Sequence, residues 1–424
     1  MAEFTVFAEV RLWGHRVGAV AEDDAGGVTF EYAPEFRRLG LEISPRHLPL
    51  ARAGPLSFPA LRRVDAFQGL PGVLADALPD RFGNAVIAQY FARAGRAQDA
   101  LSPVQRLLYI GRRAMGALEF EPAIDRPRTP AESEALEVKG LVDEARRIVA
   151  GDVDVALPEM MQLGASAGGA HPKAVILWDP ARKSVRSGFA EPAAGEEAWI
   201  IKFDGVGELH HPDPAPEPYN RIEAAYVAMA RAAGLETADV RLLEERRLAH
   251  LLSRRFDRAG SERLHLHSLG GLDHADFNAP GSYSYEQYLR VVLELGLPPA
   301  ALEEAYRRAV FNVVAVDQDD HVKNFAFLMD RAGTWRLAPA YDLTFARGSG
   351  FTRHHQLALN GKVDDFRRAD LLALGARFGI RRDGAVVIDQ VVDAVGDWPR
   401  YAAATGVPKA RVTAIGAAHR RMGG

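Results

Sequence analysis

Asp317-Gln318-Asp319-Asp320-His321-Val322-Lys323-Asn324 is the stretch whose reading decides the fold. A helical run precedes it and a hairpin follows it. Phe325–Met329 is one arm, Asp330–Gly333 the turn, and Thr334–Leu337 the other arm. Ala338-Pro339-Ala340-Tyr341-Asp342-Leu343 comes directly after. Carboxylates with one neutral amide suit magnesium, a hard cation that keeps several waters and takes further oxygens from phosphates. Taken alone, an aspartate-rich loop is also what a solvated turn looks like. An EF-hand is excluded, because its turn glycine and terminal glutamate are absent.

The wider spacing gives the loop its meaning. In protein kinases a catalytic aspartate precedes a metal-binding asparagine by five residues, and a second metal-binding aspartate lies further on. Asp319 and Asn324 have that spacing, and Asp342 follows the hairpin. Upstream, Lys202 sits inside the apolar run 199–203, WIIKF. A lysine there is costly to bury without a carboxylate or phosphate partner. Glu223 lies on the helical stretch that follows, next to its apolar face. Singly, these two read as a snorkelling edge-strand lysine and a surface glutamate. Their order ahead of the acidic loop makes coincidence hard to sustain. Further upstream, Gly164-Ala-Ser166-Ala-Gly168-Gly169-Ala170-His-Pro-Lys173 is not a Walker A motif, since Ala170 stands where the lysine belongs. The backbone N–H groups of Gly168, Gly169 and Ala170 can still face phosphate, with Lys173 adding charge and Ser166 a hydroxyl.

The rest of the chain frames these parts. Phe4, Val6, Ala8, Val10 and Leu12 alternate, Gly14 can turn the chain, Val17 to Val20 resumes the pattern, and Gly26-Gly27 precedes Val28–Tyr32. From about Leu74 to Leu118 the pattern is helical, with Asp80 or Asn84 as a cap. Residues 121–134 read as a proline-rich linker, 135–151 as a helix, Ala174–Trp178 as a buried strand, and 220–233 as a helix with Ile222, Ala225, Tyr226, Met229 and Ala233 inward. Strands follow from Val240 and from Leu248 to Phe256, and after about 283 the chain is mainly helical. The expected domains are therefore 1–125, 135–245 and 246–424.

Composition narrows the chemistry. Among 424 residues there is no cysteine, which excludes disulfides, thiolate metal sites and a cysteine nucleophile. A hydrophobic fraction of 48% with 25% charged residues fits globular domains. The net charge of −4 argues against direct nucleic-acid binding. Neither a signal peptide nor a spanning segment is visible, so a cytoplasmic location and no membrane contact are expected.

At this point the chain resembles the HipA-like serine/threonine kinases of toxin–antitoxin modules. The resemblance rests on Ser166-Ala-Gly-Gly169-Ala170-His-Pro-Lys173, Asp317-Gln-Asp319-Asp320-His321-Val-Lys323-Asn324 and Pro339-Ala-Tyr341-Asp342. Arg255-Phe-Asp-Arg258, Leu78-Pro-Asp80 and Gly111 to Leu118 add to it. It implies an α+β, protein-kinase-like two-lobed fold, with a mixed α/β N-lobe, a mainly helical C-lobe and a small N-terminal α/β subdomain. It implies ATP and Mg2+ as cofactors, Asp319 as catalytic base, and Asn324 and Asp342 as metal ligands. Lys202, Gly168, Gly169, Ala170, Lys173, Glu223 and Lys323 would form the nucleotide site, and Ser166 would be the autophosphorylated serine that silences the kinase. His321 and Asp320 would support the loop structurally, His321 through hydrogen bonds. The implied partners are a HipB-like helix-turn-helix antitoxin, which would make any DNA contact, and a protein substrate, with an aminoacyl-tRNA synthetase as the leading class. Asp317 departs from the family's asparagine, which puts local charge and metal affinity in question.

Two other readings stay open: a catalytically silent kinase-like corepressor, and a metal-dependent hydrolase using water as acceptor. His210-His211-Pro-Asp213 lacks a third strong ligand nearby and reads as loop. His265 and His267 share one strand face and read as a satisfied surface pair.

Overall fold

The alternation at the start of the chain becomes a meander. The computed structural model describes residues 4–79, 101–122, 172–206 and 217–423, except positions 183, 189, 381 and 382, together with isolated residues between 83 and 147. Strands β1 (Phe4–Leu12), β2 (His15–Asp23), β3 (Val28–Tyr32) and β4 (Leu56–Ser57) pair in sequence, and β5 (Leu118–Glu121) adds to the other side of β1. Trp13 and Gly14 both have positive φ, which gives the tight turn whose twist matches paired strands. Ala8, Val10 and Leu12 are fully buried, whereas Phe7 points outward. Helix α1 (Pro103–Ile110) covers this sheet, opened by a capping box between Ser102 and Gln105. The helical pattern expected to reach Leu118 stops at Ile110, because Leu118 is a ladder residue opposite Leu12.

A second antiparallel sheet follows, in the order β7 (Ser184–Ser187), β6 (Lys173–Asp179), β8 (Glu197–Lys202), β10 (Leu248–Arg254), β9 (Val240–Glu245). Every residue of β6 is buried, as the apolar run Ala174–Trp178 requires, and the burial extends to the charged ends Lys173 and Asp179. Helix α2 (Tyr219–Ala232) lies against β9 and β10, while Ile222, Ala225, Tyr226, Met229 and, just past its end, Ala233 are buried in the core of the helical part. The boundary drawn at residue 245 falls in the turn of the β9–β10 hairpin, so this sheet continues to Arg254. Of the helix expected over 135–151, residues 142, 143 and 145–147 are described, with Val142 and Ala145 buried in one cluster with Trp178, Trp199 and Ile201. Most of the linker 121–134, the loop at 164–171 and the segment His210–Asp213 lie outside the described residues.

The remainder is mainly helical and packs around a small three-stranded sheet. Strand β11 (His265–Ser268) pairs with β12 (Ala326–Met329), which pairs with β13 (Trp335–Leu337). The short helix α3 (Leu269–Asp273) continues from β11. Helices α4 (Tyr285–Glu294), α5 (Pro299–Ala315), α6 (Arg368–Arg377), α7 (Asp383–Gly396), α8 (Trp398–Ala404) and α9 (Lys409–Ala418) enclose a core containing Tyr288, Tyr306, Phe311 and Trp398. Strand β12 serves two cores: Phe327 packs into the helices and Met329 against the N-terminal sheet. Among the described residues no helix is long and apolar enough to cross a membrane.

Candidate active site

The acidic loop begins where α5 is forced to end. Val316 takes a left-handed conformation, φ 60° and ψ 46°, uncommon for a β-branched residue. It turns the chain out of the helix and into Asp317–Asn324. The loop then closes on itself: His321 N donates to Asp319 O at 2.9 Å, Asn324 N to His321 O at 2.8 Å, and Asn324 Nδ2 to Asp319 O at 2.8 Å. With Nδ2 committed in this way, the Asn324 side chain offers its Oδ1 as an acceptor.

Lys202 is where the parts meet. Its Nζ donates to Glu223 Oε1 and Oε2 at 2.7 and 2.8 Å, and to Asp342 Oδ1 at 2.6 Å. Strand β8 delivers the lysine, α2 the glutamate, and the segment after the hairpin the aspartate. Asn220 fixes that arrangement, since its Nδ2 donates to Lys202 O and Ala249 O at 3.1 and 3.0 Å. The start of α2 is thereby tied to both strands. Burial alone would lower the Lys202 pKa, but Asp342 and Glu223 raise it, so the ammonium stays charged. Burial pushes Glu223 up despite Lys202. Asp342 goes the other way: against the effect of burial, Lys202 and Lys173 hold it below the usual carboxylate value. Lys173 is buried and stands opposite Lys202 in the β6–β8 ladder.

The Asp319 side chain is 39% exposed at the edge of an otherwise enclosed site, with Oδ1 3.9 Å from His321 Nε2. Burial, then the charges of Asp342 and Asp320, push its pKa up to about 7. Asp320 faces away and is fully buried, accepting from Tyr285 OH at 2.6 Å, His355 Nδ1 at 2.8 Å and Gln356 N at 2.7 Å. The expected hydrogen-bonding role of His321 is not what its ring does. Nδ1 is buried without a partner, and the ring packs between Phe277 and Phe351, with centroids 5.7 and 6.3 Å away. Burial lowers its pKa to about 4, so it is neutral at pH 7. Lys323 lies beside it, Nζ 4.7 Å from the centre of the Phe277 ring.

Asp317, the departure from the family pattern, is buried and accepts from Thr344 N at 3.2 Å. Burial, then Asp319 and Asp320, raise its pKa well above the ordinary value. A protonated carboxyl at this position is close in shape and charge to the asparagine it replaces. Asp317, Asp320, Asn324, Asp342 and Asn312 line one small cavity.

The structure thus brings together Lys202, Glu223, Asp342, Asp319, Asn324 and Lys173. Ser166, Gly168, Gly169 and Ala170 fall outside the described residues. Sequence reasoning missed Asn220, Tyr285, His355 and Gln356, whose roles are set by contacts far along the chain. It also misplaced His265 and His267, which are fully buried rather than a surface pair.

Residues 165–398 match the family model of the HipA-like C-terminal domain, and residues 8–121 that of the HipA N-terminal domain. Over 97% of its length the chain resembles a chain of the Shewanella oneidensis MR-1 toxin–antitoxin complex of HipA, HipB and operator DNA. The TM-score is 0.65, with 17% identity, over 94% of that chain. Similarity to the Helicobacter pylori proinflammatory kinase CtkA is weaker: TM-score 0.33 and 12% identity, over 59% of this chain and 92% of that one.

Proposed function

The chain belongs to the HipA-like family, and from that premise we propose that it is an ATP- and magnesium-dependent protein serine/threonine kinase. In this reading the sheet β6–β10 with α2 is the N-lobe of a kinase-like pair and the helical part is the C-lobe. The observation that carries it is Lys202 bridging Glu223 and Asp342, with Asp319 partly exposed nearby. Such a lysine, held between a helix glutamate and a metal-site aspartate, is how a kinase presents charge to nucleotide phosphates.

The residues fit magnesium: Asp342 is ionised, Asn324 offers an amide oxygen, and both line one cavity. Two protein oxygens suffice for a cation that draws the rest from water and phosphate. When bound, the metal would supply charge neutralisation on the phosphates. Lys202 and Lys173 would orient the phosphates. Asp319 would accept the proton of the substrate hydroxyl, and positioning with fixed charge would supply most of the acceleration. Gly168, Gly169 and Ala170 would cover the nucleotide, and Lys323 would add charge at its edge. A phosphate on Ser166 adds roughly two negative charges beside the phosphate site and would exclude ATP. The chain would act in the cytoplasm as a growth-arresting toxin, restrained by a HipB-like antitoxin, with an aminoacyl-tRNA synthetase as the substrate class to test first.

The test is phosphotransfer from γ-labelled Mg-ATP, with the wild type and Asp319→Ala compared on themselves and on a lysate. A labelled serine or threonine is expected, falling about 100-fold or more in the variant, in line with loss of a positioned base. Peptide analysis of the active protein should place phosphate on Ser166. Steady ADP release without a phosphoprotein would instead support the hydrolase reading. No nucleotide turnover, with operator binding intact beside the antitoxin, would support the corepressor.

A further inference from the structure

We infer that Asp76, in the N-terminal region, is a positioning residue of the active site, holding through Ser268 and helix α3 the turn that carries Asn324. Its consequence for catalysis rests on the kinase reading above, whereas the mechanical link does not.

The link begins with a buried carboxylate. Asp76 Oδ2 accepts from Ser268 N and His267 Nδ1, both at 2.7 Å, and Oδ1 accepts from Ser268 Oγ at 2.6 Å. Burial would raise its pKa, but His267, Ser268 and the nearby charge of Lys323 keep it below the ordinary value. The Ser268 hydroxyl also accepts from Gly271 N at 2.9 Å, so one side chain both binds Asp76 and caps α3. On the far side of His267, Nε2 lies 3.1 Å from Ser44 Oγ. Ser44, His267 and Asp76 thus stand in the order of a hydrolytic triad. Ser44 is 1% exposed and His267 0%, however, so no substrate reaches them. The group is a strut.

Two glycines let the segments meet. A Cβ on Gly72 would sit 1.9 Å from Gly271 O, and one on Gly271 would sit 2.3 Å from Asp76 Oδ2. Any side chain at either position would push the N-terminal region off α3. The other side of α3 touches the catalytic loop. Leu269 N donates to Phe325 O at 2.7 Å, and a Cβ on Gly270 would lie 2.9 Å from Val322 Cγ2. These two contacts flank the turn Val322–Asn324, and Asn324 in turn holds Asp319 O. A shift of α3 is therefore a shift of Asn324.

The experiment uses the full chain with Asp76→Ala, Asp76→Asn and Ser268→Ala, and Phe7→Ala as a surface control. Hydrogen exchange in peptides covering 319–326 should speed up about tenfold in Asp76→Ala, with β6–β10 unchanged, because the opening is local. In kinetics, kcat should fall about tenfold or more with KM for ATP nearly constant, and half-saturating Mg2+ should rise. Asp76→Asn should recover part of both losses. Adding Ser268→Ala to Asp76→Ala should cost little more, since the two act in one chain of contacts. If Asp76→Ala fails to fold, Ser268→Ala decides the same question. Wild-type protection over 322–325 in the folded variants would overturn the link. Lost protection with unchanged kcat and Mg2+ dependence would overturn its catalytic part. A wild type that transfers no phosphate would remove the kinase reading and leave exchange to decide the link.

Discussion

At the scale of single residues, the site separates its carboxylates by environment. Asp342 is held below the ordinary carboxylate value by two lysines, burial raises Asp317 well above it, and Asp319 has a pKa near 7. If Asp319 is the base, its unprotonated form is the active one. kcat/KM should then fall about tenfold per pH unit below about 7 and level off above it. A pH–rate profile of the free enzyme checks this, and an inflection below about 5 would remove Asp319 as the titrating group. That Lys202, Glu223, Asp319, Asn324 and Asp342 would share one site was legible in the sequence, because their types and spacing follow one motif order. Asn220 was not. An asparagine near a helix start carries no special signal, and its value comes only from the two strand carbonyls that the fold brings to it.

At the scale of elements, close approach matters as much as periodicity. The meander β1–β3 follows from alternation and from turns at Gly14 and Gly26, as the sequence suggests. Gly18 on β2 was not singled out, yet a Cβ there would sit 2.0 Å from Glu31 O on β3. Its φ is ordinary, so the limit is space rather than conformation. Gly18→Val should therefore destabilise the chain by about 1–3 kcal/mol through overpacking. Gly396→Ala, at a helix end with nothing nearby, should be neutral or stabilise slightly. Thermal melts of both variants check the contrast, and equal effects would contradict it. The expected continuation of a helix to Leu118 failed for a related reason. That segment's apolar residues serve a strand opposite β1, and local pattern cannot show a partner more than a hundred residues away.

At the scale of the whole molecule, buried polar contacts join the N-terminal sheet to the rest. Asp257 is fully buried and accepts from Gly116 N, Arg255 Nη2 and Arg258 Nη1, all at 2.7 Å. Trp13 Nε1 donates to Arg263 O at 2.6 Å, and His265 Nε2 lies 2.8 Å from Ile43 O. The chain should therefore unfold in one transition, which calorimetry can test; two separated transitions would refute the coupling. Asp257→Asn should cost about 3–5 kcal/mol, because it strands buried guanidinium groups. Burial would raise the Asp257 pKa, but Arg255 and Arg258 bring it far below the ordinary value. The sign follows: its stabilisation is complete above the unfolded carboxylate pKa of about 4 and is lost as pH falls further. The asparagine variant should lack that part of the acid sensitivity. By itself, the sequence determined the family and the strand and helix types of the long periodic segments, because these are written in local pattern and spacing. Only the tertiary structure decided that Lys202 joins Glu223 to Asp342, that His265 and His267 are buried, and that Asp76 stands behind the acidic loop Asp317–Asn324. Each of those depends on side chains distant in sequence sharing one low-dielectric space, which no local pattern encodes.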